Sequence, residues 1–293
     1  MLELRSVSRS FNGTKVLKEI SFDVAPGRIT GFVGANGSGK TTTMRIILGV
    51  LAAHGGTVHW RGQPITHPVR QRFGYMPEER GLYPKMKVAE QIVYLARLHG
   101  LSLAEAKRNT AALLDRLGLS ARADDPVEKL SLGNQQRVQI CAALVHNPDL
   151  LILDEPFSGL DPLAVENVLG VLREHAARGV PVLFSSHQLD LVERLCDDLV
   201  IISAGTIAAS GSRQALRAQH ATSRFELVVD GDAGWVRDQP GVTVVELDGA
   251  RVVFEVPDDA AAQPVLRAAV SRGFVHSFGK VMPSLAEIFR EVV

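Results

Sequence analysis

Gly34-Ala35-Asn36-Gly37-Ser38-Gly39-Lys40-Thr41-Thr42 carries the most specific chemistry in the chain. Its spacing, G-x-x-x-x-G-K-[ST], lies between an apolar run, Ile29 to Val33, and a helix-like run, Thr42 to Leu51. That order predicts a phosphate cradle: glycines let backbone N–H groups wrap a polyphosphate, and the following helix start adds the positive end of its dipole. Lys40 would reach the β- and γ-phosphates, and the Thr41 hydroxyl is where it could ligand Mg²⁺, the ion that bridges those phosphates in nucleotide hydrolysis. A second reactive cluster is Asp154-Glu155, at the end of the continuous apolar run Leu150 to Leu153. Carboxylates at the end of a buried strand are costly unless a cation meets them, and a Mg–nucleotide on the glycine loop would supply that charge. Ser185-Ser186-His187 closes another apolar run, Val180 to Phe184. A lone histidine is more often structural than functional, and what marks His187 is its position beside the other strand ends, where open α/β sheets bind ligands.

These residues need a scaffold, and the chain spells one out. Leu2 to Ser8 and Val16 to Val24 alternate apolar and polar residues around Asn12-Gly13 and predict a strand pair with Phe11 at its tip. Val58 to Arg61 predicts a further strand of the same small sheet, and Phe73 to Met76 a short strand ending at Pro77. Val88 to His99 and Leu103 to Leu117 have helical spacing and stop at Gly100 and Gly118, which predicts a helical insert. In Leu130-Ser131-Leu132-Gly133-Asn134-Gln135-Gln136-Arg137 a polar turn opens an apolar-faced helix over Val138 to Val145, a second helix start available to an anion. Leu150 to Leu153 reads as a parallel strand covered on both faces. Pro156 to Pro162 is a turn carrying Asp161, and Leu163 to Arg178 a helix stopped at Gly179.

Composition excludes several classes. Lys+Arg and Asp+Glu both number 32 in 293 residues, so no overall basic excess points to nucleic acid or an anionic membrane surface. Cys141 and Cys196 match no metal or redox spacing and are expected to be buried thiols in a reducing compartment. Met1 to Arg5 places charges where a signal peptide needs an apolar core, and no apolar run reaches the ~18 residues of a spanning helix. The protein is therefore expected to be soluble by itself, with any membrane role exercised through a partner.

The ordered set of motifs resembles the nucleotide-binding subunit of ATP-binding cassette (ABC) transporters over roughly residues 1 to 215. The glycine loop, Leu130 to Asn134 like the family signature, Leu150 to Glu155, Ser158-Gly159-Leu160-Asp161 and His187 carry the resemblance. It implies an α/β fold: a P-loop NTPase ABC cassette with a mixed core sheet, an antiparallel β-subdomain and a helical subdomain over about 87–148. It also implies an ATPase in which two cassettes close head to tail, with ATP between the glycine loop of one and the signature of the other. ATP would lie against Gly34, Asn36, Gly37, Ser38, Gly39, Lys40, Thr41 and Thr42, with Phe11 stacked on adenine. Ser131, Gly133 and Asn134 would face the nucleotide held by the second subunit, and Asp161 would communicate across the dimer. Thr41, Asp154 and Glu78 would support Mg²⁺, Glu155 would act as general base, and His187 would contact the γ-phosphate. Two departures stand out: Leu132 and Asn134 replace the usual glycine and glutamine of the signature, and Glu78 replaces a glutamine.

Pro77-Glu78-Glu79-Arg80-Gly81-Leu82-Tyr83-Pro84 and the C-terminal region resemble the subgroup serving export permeases, including sodium and drug extrusion systems. The implied partners are an integral membrane permease and a second cassette, the same or a related chain. The implied location is the cytoplasmic face of the cell membrane. After a linker at 216–223, residues 224–293 show β-α-β-β-α-β order, which predicts a small α+β ferredoxin-like unit provided Ala233 to Asp238 is a helix. The alternative function is a soluble cassette ATPase of translation, DNA repair or chromosome handling. Such proteins usually carry paired cassettes, long coiled coils or zinc-binding cysteines, none of which occurs here.

Overall fold

The structure is a computed structural model that describes residues 1–79 and 81–293, so Arg80 of the export-type stretch lies outside the described residues. The chain divides into two compact units, one from Met1 to Arg213 and the other from Gln214 to Glu291.

In the first unit, β1 (Leu2–Phe11) and β2 (Thr14–Val24) form an antiparallel hairpin around Asn12-Gly13, both with positive φ, as a two-residue hairpin turn requires. β3 (Ile29–Val33) is wholly buried and feeds the glycine loop, after which α1 (Lys40–Ile47) begins. β4 (Gly55–Trp60) and β5 (Gln63–Pro64) complete an antiparallel sheet of order β2-β1-β4-β5. The short α2 (His67–Arg70) leads to β6 (Phe73–Met76), and then come the helices α3 (Val88–Leu98), α4 (Leu103–Arg116) and α5 (Leu132–Leu144). Ser102 and Glu105 cap α4 reciprocally, a capping box that fixes its start.

The chain returns to the core through β7 (Leu150–Leu153), α6 (Pro162–Ala177), β8 (Val182–Ser186), α7 (Leu189–Leu195), β9 (Asp198–Ser203) and β10 (Thr206–Ser212). The six-stranded sheet has order β10-β9-β3-β8-β7-β6; its strands run parallel except β10, which pairs antiparallel with β9. β3, β7 and β8 are buried along their whole length, the consequence of covering a parallel sheet on both faces. Their carboxyl ends meet at one edge, where Gly34, Asp154-Glu155 and His187 follow directly. Cys141 and Cys196 are free and buried; burial pushes the Cys141 thiol up to about 12 and that of Cys196 higher still.

Two expectations need correction. Helix α5 starts at Leu132, six residues before Val138, because Ser131 caps it by accepting from the Asn134 N–H (3.3 Å). The signature is thus the first helical turn itself. Of the stretch expected to be a linker, 216–223, residues 216–219 belong to α8 (Arg213–Gln219), and Leu216 is buried.

The second unit contains β11 (Arg224–Val229), β12 (Thr243–Asp248), β13 (Arg251–Glu255), α9 (Ala262–Arg272), β14 (Val275–Lys280) and α10 (Leu285–Val292). All pairings in its sheet, of order β12-β13-β11-β14, are antiparallel. Counted within the unit, this is strand order 2-3-1-4, the ferredoxin-like arrangement. The first crossover is a 3₁₀ segment, Gly234–Asp238, too short for an α-helix. Phe225, Leu227, Phe254 and Val265 form its separate core.

Candidate nucleotide site

The glycine loop wraps a cavity of about 540 Å³. Asn36, Gly37, Gly39, Lys40, Thr41 and Thr42 form one wall. Phe11, Val16, Glu78, Asp154 and Glu155 complete the lining. Gly34, Ser38, His187, Ser131, Gly133, Asn134 and Asp161 are not among its lining residues. Seven expected nucleotide-binding residues, Phe11, Asn36, Gly37, Gly39, Lys40, Thr41 and Thr42, thus share the cavity with Glu78, Asp154 and Glu155.

Loop geometry explains the glycines that matter most. Gly39 is the N-cap of α1 at φ 114, and a Cβ there would come within 2.5 Å of Leu17 Cδ2. Gly37 has φ 77 with nothing within 4 Å of where a Cβ would stand, so its backbone faces open space. Helix α1 has no side-chain cap, leaving first-turn N–H groups available to an anion. Lys40 Nζ is buried and donates to Gly34 O (2.7 Å) and Ala35 O (3.2 Å), which curls its ammonium back over the loop. Ser38 Oγ is buried with no partner among the described residues. An unfilled hydroxyl, free N–H groups and a curled lysine fit a polyphosphate.

Adjoining the loop is a buried polar network. Asp154 is only 1% exposed; its Oδ2 accepts from Thr41 Oγ1 (2.9 Å) and its Oδ1 from Ser185 Oγ (2.5 Å). Ser185 Oγ also accepts from the Glu155 N–H (2.9 Å), so one hydroxyl ties both carboxylate residues to β8. Glu155 is 8% exposed and sits at φ 51, a left-handed conformation rare for a residue with a side chain. Gln136 Nε2 donates to Glu155 O (2.9 Å), and Ser158 N to the same oxygen (3.2 Å). Its carboxylate Oε1 lies 3.0 Å from Nδ1 of His187, whose ring is 56% exposed. A strained residue held from this many directions is the kind of outlier that functional sites retain. The nearby Tyr75 hydroxyl has its pKa raised, by burial first and by the Asp154 charge next.

Thr41 and Asp154 present oxygen donors side by side, the chemistry a hard divalent cation prefers. Among the described residues no group of three or more His, Cys, Asp or Glu side chains could hold a metal alone. A cation here would complete its shell with phosphate and water oxygens, which is how Mg²⁺ is normally held beside nucleotides. Glu78 lines the cavity, and Gln139 Nε2 reaches the backbone around it, at Pro77 O (3.4 Å) and Glu79 O (3.3 Å). Ser185, Gln136 and Gln139 had not been assigned from the sequence; their partners lie 19 to 62 positions away, and only Ser185's place at a strand end hinted at a role.

The signature lies apart from this cavity. Ser131 is exposed at the start of α5, Leu132 is 60% exposed, and a Cβ on Gly133 would stand 3.0 Å from Gly159 O. Asp161 caps α6, its Oδ1 accepting from Ala164 N (2.8 Å).

A glycine-loop site at the carboxyl edge of a mixed sheet, joined to an antiparallel sheet and a helical arm, defines a P-loop nucleotide-binding cassette. Residues 17–158 match the family described as ABC transporter, and residues 211–293 match the C-terminal domain described as ATP-binding protein DrrA1-3-like. Over its whole length the chain is 37% identical to the uncharacterized ABC transporter ATP-binding protein YhaQ of Bacillus subtilis, covering 98% of it. The chain belongs to the ABC transporter family as an ATP-binding subunit with a DrrA-like C-terminal domain, and it is an ATPase. It is also 36% identical to the Nod factor export ATP-binding protein I of Paraburkholderia xenovorans, over 90% of this chain and 88% of that one. A solved ATP-binding subunit of an ABC transporter superposes with a TM-score of 0.70 at 35% identity, over 75% of this chain and 92% of that one. Among the described residues no helix is long and apolar enough to cross a membrane.

Proposed function

We propose that this subunit powers an exporter from the cytoplasmic face of the membrane, through ATP-driven head-to-tail closure of two cassettes. The observation that carries the reading is the asymmetry of the site: phosphate donors and carboxylates surround one cavity, while the signature helix start stands exposed and apart from it. A second cassette turned head to tail would bring its own Ser131, Gly133 and Asn134 to that cavity. ADP lacks the γ-phosphate such a helix start would meet, so closure would depend on ATP. The export role is supported by relatives named for Nod factor export and linearmycin resistance and by the DrrA-like C-terminal domain.

Within the closed site the chain's residues divide the work. Lys40 would exchange its carbonyl partners for β- and γ-phosphate oxygens, and first-turn N–H groups of α1 would receive the remaining charge. Mg²⁺, when bound by Thr41, Asp154 and Glu78, would neutralise the phosphates and the charge that develops on them. Glu155 would accept the proton of the attacking water, its backbone already fixed by Ser185 and Gln136. His187 holds the Glu155 carboxylate and would turn toward the γ-phosphate in hydrolysis. Phe11 would stack on adenine, and Asp161 would relay closure between subunits. In this reading residues 1–215 are the cassette, 216–223 the connection, and 224–293 a packing and dimer-supporting unit. The test is fractionation of cells expressing the chain with and without its co-encoded permease. The chain should sediment with membranes only when the permease is present; co-sedimentation with ribosomes or DNA instead would overturn the exporter reading.

A further inference from the structure

Arg9 and Phe11 share β1, and the register of that strand against β2 shifts between Arg9 and Ser10, the kind of irregularity that re-aims side chains at a sheet rim. The Arg9 guanidinium carbon lies 4.8 Å from the centroid of the Phe11 ring. Its Nη1 donates to Ala52 O (2.9 Å) and lies 3.0 Å from His54 Nε2. Its Nε is buried and makes no hydrogen bond among the described residues. The planar fork is therefore anchored at residues 52 and 54, and what it offers beyond those anchors is contact with the aromatic face. Phe11 is 39% exposed and lines the cavity, whereas Arg9 does not line it. The ring thus meets both the cation and the cavity.

We propose that Arg9 is a positioning residue for nucleobase recognition: it fixes the Phe11 ring from one face and draws π-density toward the guanidinium, leaving the opposite, cavity-facing side a better stacking surface for an electron-rich purine. The physical basis is the ring quadrupole, whose negative face attracts a cation and whose polarised opposite face then favours an electron-rich partner. Arg9 itself would not touch the nucleotide. Phe11 has no hydroxyl to hydrogen-bond and hold its ring in place, so the cation supplies the orientation. The inference rests on the reading that Phe11 stacks on adenine.

The test is calorimetric binding of ATP and of tripolyphosphate, which keeps the charge and lacks the base, to the full chain and its variants. Arg9→Met keeps the apolar stem; it should weaken ATP about two- to fivefold and leave tripolyphosphate affinity unchanged. Arg9→Lys restores a cation and should recover much of the loss. Phe11→Ala should weaken ATP by about fivefold or more, again without changing tripolyphosphate binding. The proposal is overturned if Arg9→Met binds ATP as wild type does while Phe11→Ala is impaired, or if Arg9→Met weakens both ligands equally, the mark of a general distortion. If Phe11→Ala leaves ATP affinity intact, the base-stacking reading itself falls.

Discussion

Two helices in this molecule begin where a phosphate could be met, and they begin differently. Helix α1 is capped by Gly39 with no side-chain hydrogen bond, at a cavity bordered by a network joining Thr41, Asp154, Ser185 and Glu155. Helix α5 is capped by the Ser131 hydroxyl, exposed, and lines no part of that cavity. A helix start without a side-chain cap leaves its N–H groups open to an acceptor from a ligand or water, whereas at α5 the Ser131 side chain already satisfies one of them. The difference suggests a division between a half-site that binds nucleotide by itself and a half-site that acts only on nucleotide held elsewhere.

The largest effect expected on the loop side comes from its carboxylate. Glu155→Gln should retain ATP binding, because the amide leaves the glycine loop and Lys40 intact, and should lower turnover by ~10² to 10⁴ because it cannot take the proton of water. Single-turnover hydrolysis at saturating ATP measures this directly; a near-wild-type rate would remove the chemistry from this wall of the cavity.

Much of that half-site was legible because its signals are local. The glycine spacing, the buried run Leu150 to Leu153 and the carboxylates after it each depend on adjacent residues, and the hydrophobic pattern of a doubly covered strand is hard to mistake. What secures Glu155 was not legible. Ser185 is 30 positions away and Gln136 19, and no periodicity connects them. The start of α5 was misplaced for a different reason: glycine and polar residues after Ser131 resemble a turn, yet a serine N-cap lets them form a helical turn. In the C-terminal unit the strand order followed from alternation, while the brevity of Gly234–Asp238 followed from a crossover of few residues.

Glu78 tests how far the loop-side network extends. Glu78→Gln keeps a coordinating carbonyl oxygen and should shift the Mg²⁺ titration of ATP binding modestly, and Glu78→Ala should shift it further, by about a few-fold, since Thr41, phosphate and water supply most of the shell. An unchanged titration in Glu78→Ala, with a shift in Glu79→Ala, would place the metal-facing residue one position along.

The smallest effect concerns the far end of α5. His146 stacks on His99, ring centroids 3.7 Å apart, with its Nε2 3.2 Å from Phe73 O and its Nδ1 buried without a partner among the described residues. Burial, then the charge of His99, lowers its pKa from 6.5 to about 4. The fold favours the neutral ring, so its stability contribution is full above pH 6.5 and is lost as pH falls toward about 4. Denaturant titrations should show ~1–3 kcal/mol lost across that window, and His146→Gln should flatten the slope. An unaltered slope in the variant would assign the acid sensitivity elsewhere, and ATP binding at the α1 half-site should be indifferent to the substitution.

The division of the two helix starts is tested most directly by mixing two inactive chains. One carries Lys40→Ala, which disables the loop and spares the signature; the other carries Ser131→Arg, which blocks the signature and spares the loop. If the signature acts on nucleotide held by a second cassette, each chain alone should hydrolyse almost no ATP, and the mixture should regain turnover by pairing an intact loop with an intact signature. Wild-type turnover by the Ser131→Arg chain alone would contradict the account, because the α1 half-site would then be complete within a single chain.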